Sequence, residues 1–178
     1  MSPFTKLPVR LHHTAYVSSN LERTRAFYED LIGLPLQATW CEADELFGAV
    51  RTYCHLFFGL ADGGALAFFQ FANKEDQQLF GPKMPETPFR HVALKVDADV
   101  QNGIQRRLAE AGYKAPKTYV LEHGYCRSLY VEDPDGMLLE FTVDHADVEK
   151  INDIRRASAH ADLKRWLGGD HTSNNAYR

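Results

Sequence analysis

The chain has no uninterrupted apolar run long enough to span a bilayer, and its opening MSPFTKLPVRLHH has no apolar core of signal-peptide length. Neither a membrane partner nor export is expected, which leaves the cytoplasm as the expected address. Cysteine is scarce. Cys41, Cys54 and Cys126 are an odd number with no CxxC spacing, so neither a disulfide framework nor a zinc knuckle is implied. All three read as buried apolar side chains. Positive charge is also in deficit, with 20 Lys and Arg against 24 Asp and Glu and a net charge of −4. No basic cluster interleaved with aromatics offsets this, so nucleic acid is not an expected partner. What is present is 178 residues, 44% of them hydrophobic, enough to bury a core as one domain or two fused half-domains.

Periodicity divides the chain into two similar halves. Residues 9–18 form a β-prone run carrying His12 and His13. Asn20 can cap a helix whose Leu21, Thr24, Phe27, Tyr28 and Leu31 recur at helical spacing, and Gly33 ends it. Strands are expected at 34–40, 49–59 and 65–72, the last two joined by a turn at 61–64. Residues 73–88, polar and with prolines at 82, 85 and 88, read as a linker. The pattern then begins again. A strand at 89–96 bears His91, a helical stripe of Val100, Ile104, Leu108 and Ala111 stops at Gly112, and a strand passes through Tyr119. Next comes a hairpin, with strands at 126–132 and 137–143 about the turn Asp133-Pro134-Asp135-Gly136.

Laid over each other, His13 matches His91, and residues 64–68 match 136–140, which sets Phe68 against Glu140. The expected fold is α+β. Two βαβββ modules, 9–72 and 89–143, joined by the linker 73–88, form one domain over residues 1–143 and pair around a metal-binding cleft. Residues 144–178 follow as a helical tail, read as two short helices and a disordered end. Glu140 lies in an apolar run where a carboxylate needs a partner. His13, His91 and Glu140 together are two imidazoles and one carboxylate, the donor set of a facial triad, which leaves up to three metal positions open for substrate and a second reagent. Strand alternation sends His12 to the opposite face from His13.

The strings HTAYVSSNLERTRAFYEDLIGLP, RHVALKVDADV and LYVEDPDGMLLEF resemble the vicinal oxygen chelate superfamily, which includes glyoxalase I, type I extradiol dioxygenases, fosfomycin-resistance proteins and bleomycin-binding proteins. The order His123, Leu129-Tyr130, Asp133-Pro134-Asp135-Gly136, Glu140 is similar to the extradiol ring-cleavage signature, from which only Leu121 departs. The nearest resemblance is thus to the small single-domain extradiol dioxygenases. It implies Fe(II) held by His13, His91 and Glu140, with O2 as co-substrate. It also implies that His123 hydrogen-bonds the substrate or dioxygen, and Tyr130 the substrate hydroxylate. A further acid/base His of that family, near the start of strand 65–72, is missing here, and His55 on the neighbouring strand is the one substitute. Tyr16, Phe57 and Phe68 are candidate walls, with His55, of a pocket for a small aromatic substrate.

The function implied is extradiol cleavage of a catechol-like ring, with Mn, Ni, Zn or Co as alternative metals and a homo-oligomer as the assembled form. One alternative is a glyoxalase-type lyase or isomerase, against which stands Phe68, where the resemblance leads one to expect a second Glu. Another is non-catalytic drug binding on the same fold.

Overall fold

The computed structural model describes residues 8–81, 87 and 89–177. In the first half, β1 (His13–Val17) leads into α1 (Leu21–Arg25), which continues as a π-helical stretch, Ala26–Ile32, before β2 (Leu36–Leu46), β3 (Ala49–Gly59) and β4 (Ala65–Phe71). A short helix, α2 (Lys74–Phe80), follows. The second half repeats the plan with β5 (His91–Lys95), α3 (Ala98–Glu110), β6 (Thr118–Glu122), β7 (Cys126–Glu132) and β8 (Leu138–Asp144), and closes on α4 (Val148–Leu167). The two sheets have the same strand order, β1-β4-β3-β2 and β5-β8-β7-β6. In each the first strand runs parallel to the last, and the remaining pairs are antiparallel. This is the expected pair of βαβββ modules with a C-terminal helix.

Local chemistry explains the helix ends. The Asn20 side chain accepts from the Arg23 N–H at 2.9 Å, as a cap should, and Gly33 takes φ 95°, a conformation that costs glycine little. The Gly33 N–H reaches back five residues to the Tyr28 carbonyl at 3.0 Å, the signature of the widened π turn. That turn carries Tyr28, fully buried, onto Phe58 and Phe68, with ring centroids 5.3 and 4.7 Å away. In the second half Ile104 and Leu108 are buried as expected, but their companion is Gln101 and not Val100, which is half exposed. The Gln101 amide donates to the carbonyls of Phe141 at 2.6 Å and Arg127 at 3.0 Å, so a polar side chain is buried without an orphaned N–H.

Two segments differ from their sequence reading. Part of the linker is the helix α2, capped by Asn73, whose side chain accepts from Glu75 N at 2.7 Å and Asp76 N at 3.3 Å. It buries no residue, so it has no apolar stripe to betray it. The prolines at 82, 85 and 88 lie outside the described residues. The two short tail helices are one helix of 20 residues, since nothing between 156 and 160 breaks it. The segment after it is pinned. Arg165 pairs with Asp170 at 3.0 Å and donates to the Thr172 carbonyl at 2.8 Å. No helix among the described residues is long and apolar enough to cross a membrane.

The chain separates into two compact units, one of Met1–Thr87 with Asp133–Met137 and the other of Pro88–Glu132 with Leu138–Arg178. The β7–β8 turn therefore belongs with the first half. The Asp133 side chain organises it by accepting from the N–H groups of Asp135 and Met137, both at 2.8 Å, while Gly136 supplies φ 90°. Its other oxygen accepts from the Tyr28 hydroxyl at 2.9 Å. Asp135 accepts from Ser19 N at 3.1 Å and pairs with Arg23 at 3.2 Å. Burial raises the Asp133 carboxyl above its ordinary range despite these donors. Tyr28→Phe removes one donor from a buried carboxylate and is expected to cost about 1–3 kcal/mol, read from urea unfolding midpoints at unchanged m. A midpoint equal to that of the parent would show that the bond carries no net stability.

Candidate functional site

Strand alternation and ladder register decide which side chains share a face. In the second sheet Ala93 sits opposite Glu140, Glu140 opposite Tyr130, and Tyr130 opposite Tyr119. One face thus carries His91, Glu140, Thr142, Ser128, Tyr130 and Tyr119, and the other is covered by α3. Glu140 is 7% exposed. Its Oε1 accepts from the hydroxyls of Ser128 at 2.5 Å and Thr142 at 2.9 Å, and its Oε2 lies 3.0 Å from His91 Nε2. Burial works to raise this carboxyl, but Ser128, Thr142, Tyr130 and His91 outweigh it and hold the group below its ordinary range. Glu140 is therefore ionised near neutrality, with one oxygen fixed by donors and the other directed at an imidazole.

Tyr130 is buried, and its hydroxyl lies 3.2 Å from His123 Nε2. Its ring stacks on Tyr119 at 4.9 Å and meets His91 edge-on at 6.0 Å. Burial, reinforced by Glu140, pushes the phenol up to about 12, so it stays a hydrogen-bond donor throughout the neutral range. His123 follows β6, and its carbonyl accepts from the Asn175 side chain at 3.0 Å. The C-terminal segment is thereby fastened to the His123 loop, beside a pocket of about 280 Å³ lined in part by Tyr125, Arg155 and Tyr177.

In the first sheet His13 sits opposite Ala65 and Phe57 opposite Ala67. The corresponding pairs of the second sheet are His91 with Leu138 and Tyr130 with Glu140. The counterpart of Glu140 is therefore Ala67 and not Phe68. Met137 stands between Gly136 and the start of β8, whereas Gly64 adjoins β4 directly, so an overlay anchored on the glycines slips by one residue. A one-residue slip exchanges the faces. Phe68 is the counterpart of the buried Phe141, and it lies with Tyr16 on the helix-covered face, the two rings 5.9 Å apart. Phe57 and His55 share the face of His13, at centroid distances of 5.6 and 6.3 Å.

His55 is the unusual member of this face. Its ring is stacked on Phe69 at 3.6 Å and tilted against Phe57 at 4.1 Å. Its Nε2 is buried and has no hydrogen-bond partner among the described residues. Burial, with a smaller contribution from His13, lowers its pKa to about 4, so the ring is neutral near pH 7. His12 precedes β1, so strand alternation does not govern it, and its Nδ1 lies 2.8 Å from His13 Nδ1. One ring donates and the other accepts.

Of the three expected metal ligands, His91 and Glu140 adjoin each other in the second unit, and His13 belongs to the first. Among the described residues no group of three or more His, Cys, Asp or Glu is gathered as a metal cluster. The His91–Glu140 pair nonetheless fits a divalent ion in its chemistry, with an ionised carboxylate oxygen beside an imidazole nitrogen. Sequence reasoning missed Ser128 and Thr142. Their alternation with Glu140 and Tyr130 along β8 and β7 was the available signal.

The family model described as Glyoxalase/Bleomycin resistance protein/Dioxygenase superfamily matches residues 10–141. A lactoylglutathione lyase of Neisseria meningitidis serogroup A is 25% identical over 133 residues, spanning 75% of this chain and 89% of that protein. Among solved structures, the fosfomycin resistance protein FosX of Listeria monocytogenes superposes with a TM-score of 0.56 at 18% identity, covering 80% of this chain and 98% of its own. A glyoxalase family protein of Bacillus cereus gives a TM-score of 0.58 at 16% identity, covering 80% and 99%. These structures share the fold. With the match spanning both modules, the chain belongs to the glyoxalase/bleomycin resistance protein/dioxygenase superfamily.

Proposed function

We propose that the chain is a metal-dependent enzyme of glyoxalase type, a lyase or isomerase acting on a small substrate that chelates through two neighbouring oxygens. The observation that carries this reading is the His91–Glu140 pair, Nε2 to Oε2 at 3.0 Å, with the other carboxylate oxygen taken up by two hydroxyls. His91, Glu140 and His13 would hold the ion, which supplies Lewis acidity toward the substrate oxygens. Ser128 and Thr142 orient the carboxylate. Tyr130, protonated to about pH 12, donates to negative charge developing on a substrate oxygen, and His123 orients that hydroxyl. Ala67 cannot move a proton. His55, neutral and with an unengaged Nε2 on the His13 face, is the proposed acceptor in its place. The lactoylglutathione lyase relative supports this class of chemistry.

A second reading has its own observation. His123 Nε2 lies 3.2 Å from the Tyr130 hydroxyl, a His–Tyr pair of the kind that Fe(II)-dependent extradiol cleavage of a catechol requires. One experiment separates the two. Protein purified without oxygen is analysed for metal, then assayed for formation of lactoylglutathione from glutathione and methylglyoxal, and with catechol and 2,3-dihydroxybiphenyl in air while oxygen is recorded. A bound divalent ion with lyase turnover and no oxygen uptake supports the first reading, and iron with oxygen uptake and a coloured product supports the second. Absence of metal after growth with added Fe, Mn, Ni, Zn or Co would overturn both and leave a small-molecule-binding protein.

Three variants test the roles. His91→Ala and Glu140→Ala are each expected to abolish metal retention, while Tyr130→Phe keeps the metal and slows turnover by about 10²-fold or more. Full metal content in both ligand variants would defeat the site. Ser128→Ala frees the carboxylate to reorient and is expected to weaken metal binding by about 10–100-fold in competition with a chelator, the size of effect seen when a ligand's supporting bond is removed.

His55→Phe addresses the imidazole through stability and pH. The folded pKa of about 4 lies below the ordinary 6.5, so between these values the unfolded chain binds a proton that the folded one does not. Its contribution is full above about pH 6.5 and is lost as pH falls toward 4. The variant's melting temperature should therefore fall less from pH 7 to pH 4.5 than that of the parent. Parallel melting profiles would show that His55 titrates normally.

A further inference from the structure

Cys41 and Cys54 face each other across the β2–β3 hairpin as direct cross-strand partners. Directly opposed residues of an antiparallel pair have Cα atoms about 4.5–5.5 Å apart, inside the span of about 4.4–6.8 Å that disulfides occupy. Opposed side chains also leave the sheet on the same side, which sets the two thiols beside each other. The register here is well held. Trp40 opposes His55 on one side of the pair and Glu42 opposes Tyr53 on the other, and the Tyr53 hydroxyl bonds back to Asp44 at 2.6 Å. The thiols differ in access, since Cys41 is exposed and Cys54 half-buried. This corrects the expectation that all three cysteines are buried apolar side chains. It holds for Cys126 alone, which is buried in the second unit.

We propose that Cys41 and Cys54 form a peroxide-sensitive dithiol that closes to an intrachain disulfide. The Cys41 thiolate, open to solvent, attacks a peroxide oxygen. The O–O bond breaks, hydroxide leaves, and Cys41 becomes a sulfenic acid. The neighbouring Cys54 gives up its proton and attacks Cys41 Sγ, so that the S–S bond forms as the S–O bond breaks and a second hydroxide leaves. Two thiols have lost two electrons and two protons, and the peroxide has become two molecules of water. Cys41 is the more exposed of the two, and burial, reinforced by the neighbouring Cys41, holds the Cys54 thiol above its ordinary range, so Cys41 acts first and Cys54 resolves it. The closed form pins to the edge strand β2 the stretch of β3 that carries His55, one residue beyond Cys54. The disulfide itself does not depend on the proposed enzymatic reading.

The test exposes the full chain to hydrogen peroxide, quenches in acid with a maleimide, and reads intact mass and linked peptides. The expected product is a monomer two hydrogens lighter, with two of its three thiols no longer labelled, a Cys41–Cys54 linked peptide, and full reversal by dithiothreitol. Cys54→Ser should leave Cys41 as a sulfenic acid trapped by dimedone, and Cys41→Ser should leave Cys54 labelled. The Cys41 side chain is exposed, so that substitution does not touch the core. The proposal is overturned by any of three results. These are a linked peptide that contains Cys126 or joins two chains, Cys41 carrying two or more oxygens with Cys54 still labelled, or three labelled thiols when glutathione in the same tube is fully oxidised.

Discussion

A carboxylate removed from water has to be given donors, and the β7–β8 hairpin buries two of them. Asp133 at the turn is met by two backbone N–H groups and the Tyr28 hydroxyl, and Glu140 in the strand by Ser128, Thr142 and His91. The balance between burial and donors falls differently at the two. At Asp133 burial wins and the carboxyl rises, whereas at Glu140 the hydroxyls and the imidazole win and it falls. Asp133 has one oxygen on the turn's own N–H groups and the other on the Tyr28 hydroxyl, and serves the turn. Glu140 has one oxygen taken up by two hydroxyls and the other beside the His91 imidazole, the arrangement that the proposed ligand role requires.

The two modules share a ladder but not a chemistry. At matching register they carry His13 and His91, Phe57 and Tyr130, Ala67 and Glu140, and His55 and Ser128. The first pair is conservative, and its geometry is too, since His13 meets the Phe57 ring at 5.6 Å and His91 the Tyr130 ring at 6.0 Å. The other three pairs divide the work. In the second sheet hydroxyls converge on an acid. The first sheet has a methyl where the acid would be, with the rings of Phe57, His55 and Phe69 on the same face.

Much of this was legible in the chain. Asn20, Gly33 and Gly136 announced their caps and turn because capping is local, and the double βαβββ plan followed from a repeated periodicity. What escaped is non-local or has no apolar stripe. The counterpart of Glu140 is Ala67 and not Phe68 because one residue, Met137, shifts the second ladder, and no local pattern reports a shift between strands 73 residues apart. Cys41 and Cys54 are 13 positions apart and carry no motif; only the hairpin register makes them neighbours. His12 was assigned by strand alternation although the strand begins after it. Helix α2 buries nothing and so has no periodic face.

His55 shows why the register matters for chemistry. A buried polar atom left without a partner costs about 1–3 kcal/mol, and a histidine serving only to fill space between Phe57 and Phe69 would do so better as a third aromatic hydrocarbon. Its Nε2 instead stays unengaged on the face that carries His13, in a module whose position 67 is a methyl group. Burial between these rings, with a smaller contribution from His13, makes its protonation unfavourable, which keeps a lone pair or an N–H available near neutral pH. A carboxylate at position 67 would have offered a charged acceptor. The imidazole at position 55 offers a neutral one from the neighbouring strand, on the same face and opposite Phe69 in the ladder, two positions along β4 from Ala67. On the reading proposed here, the proton-transfer group has moved one strand across while the ladder beneath it has stayed where it was.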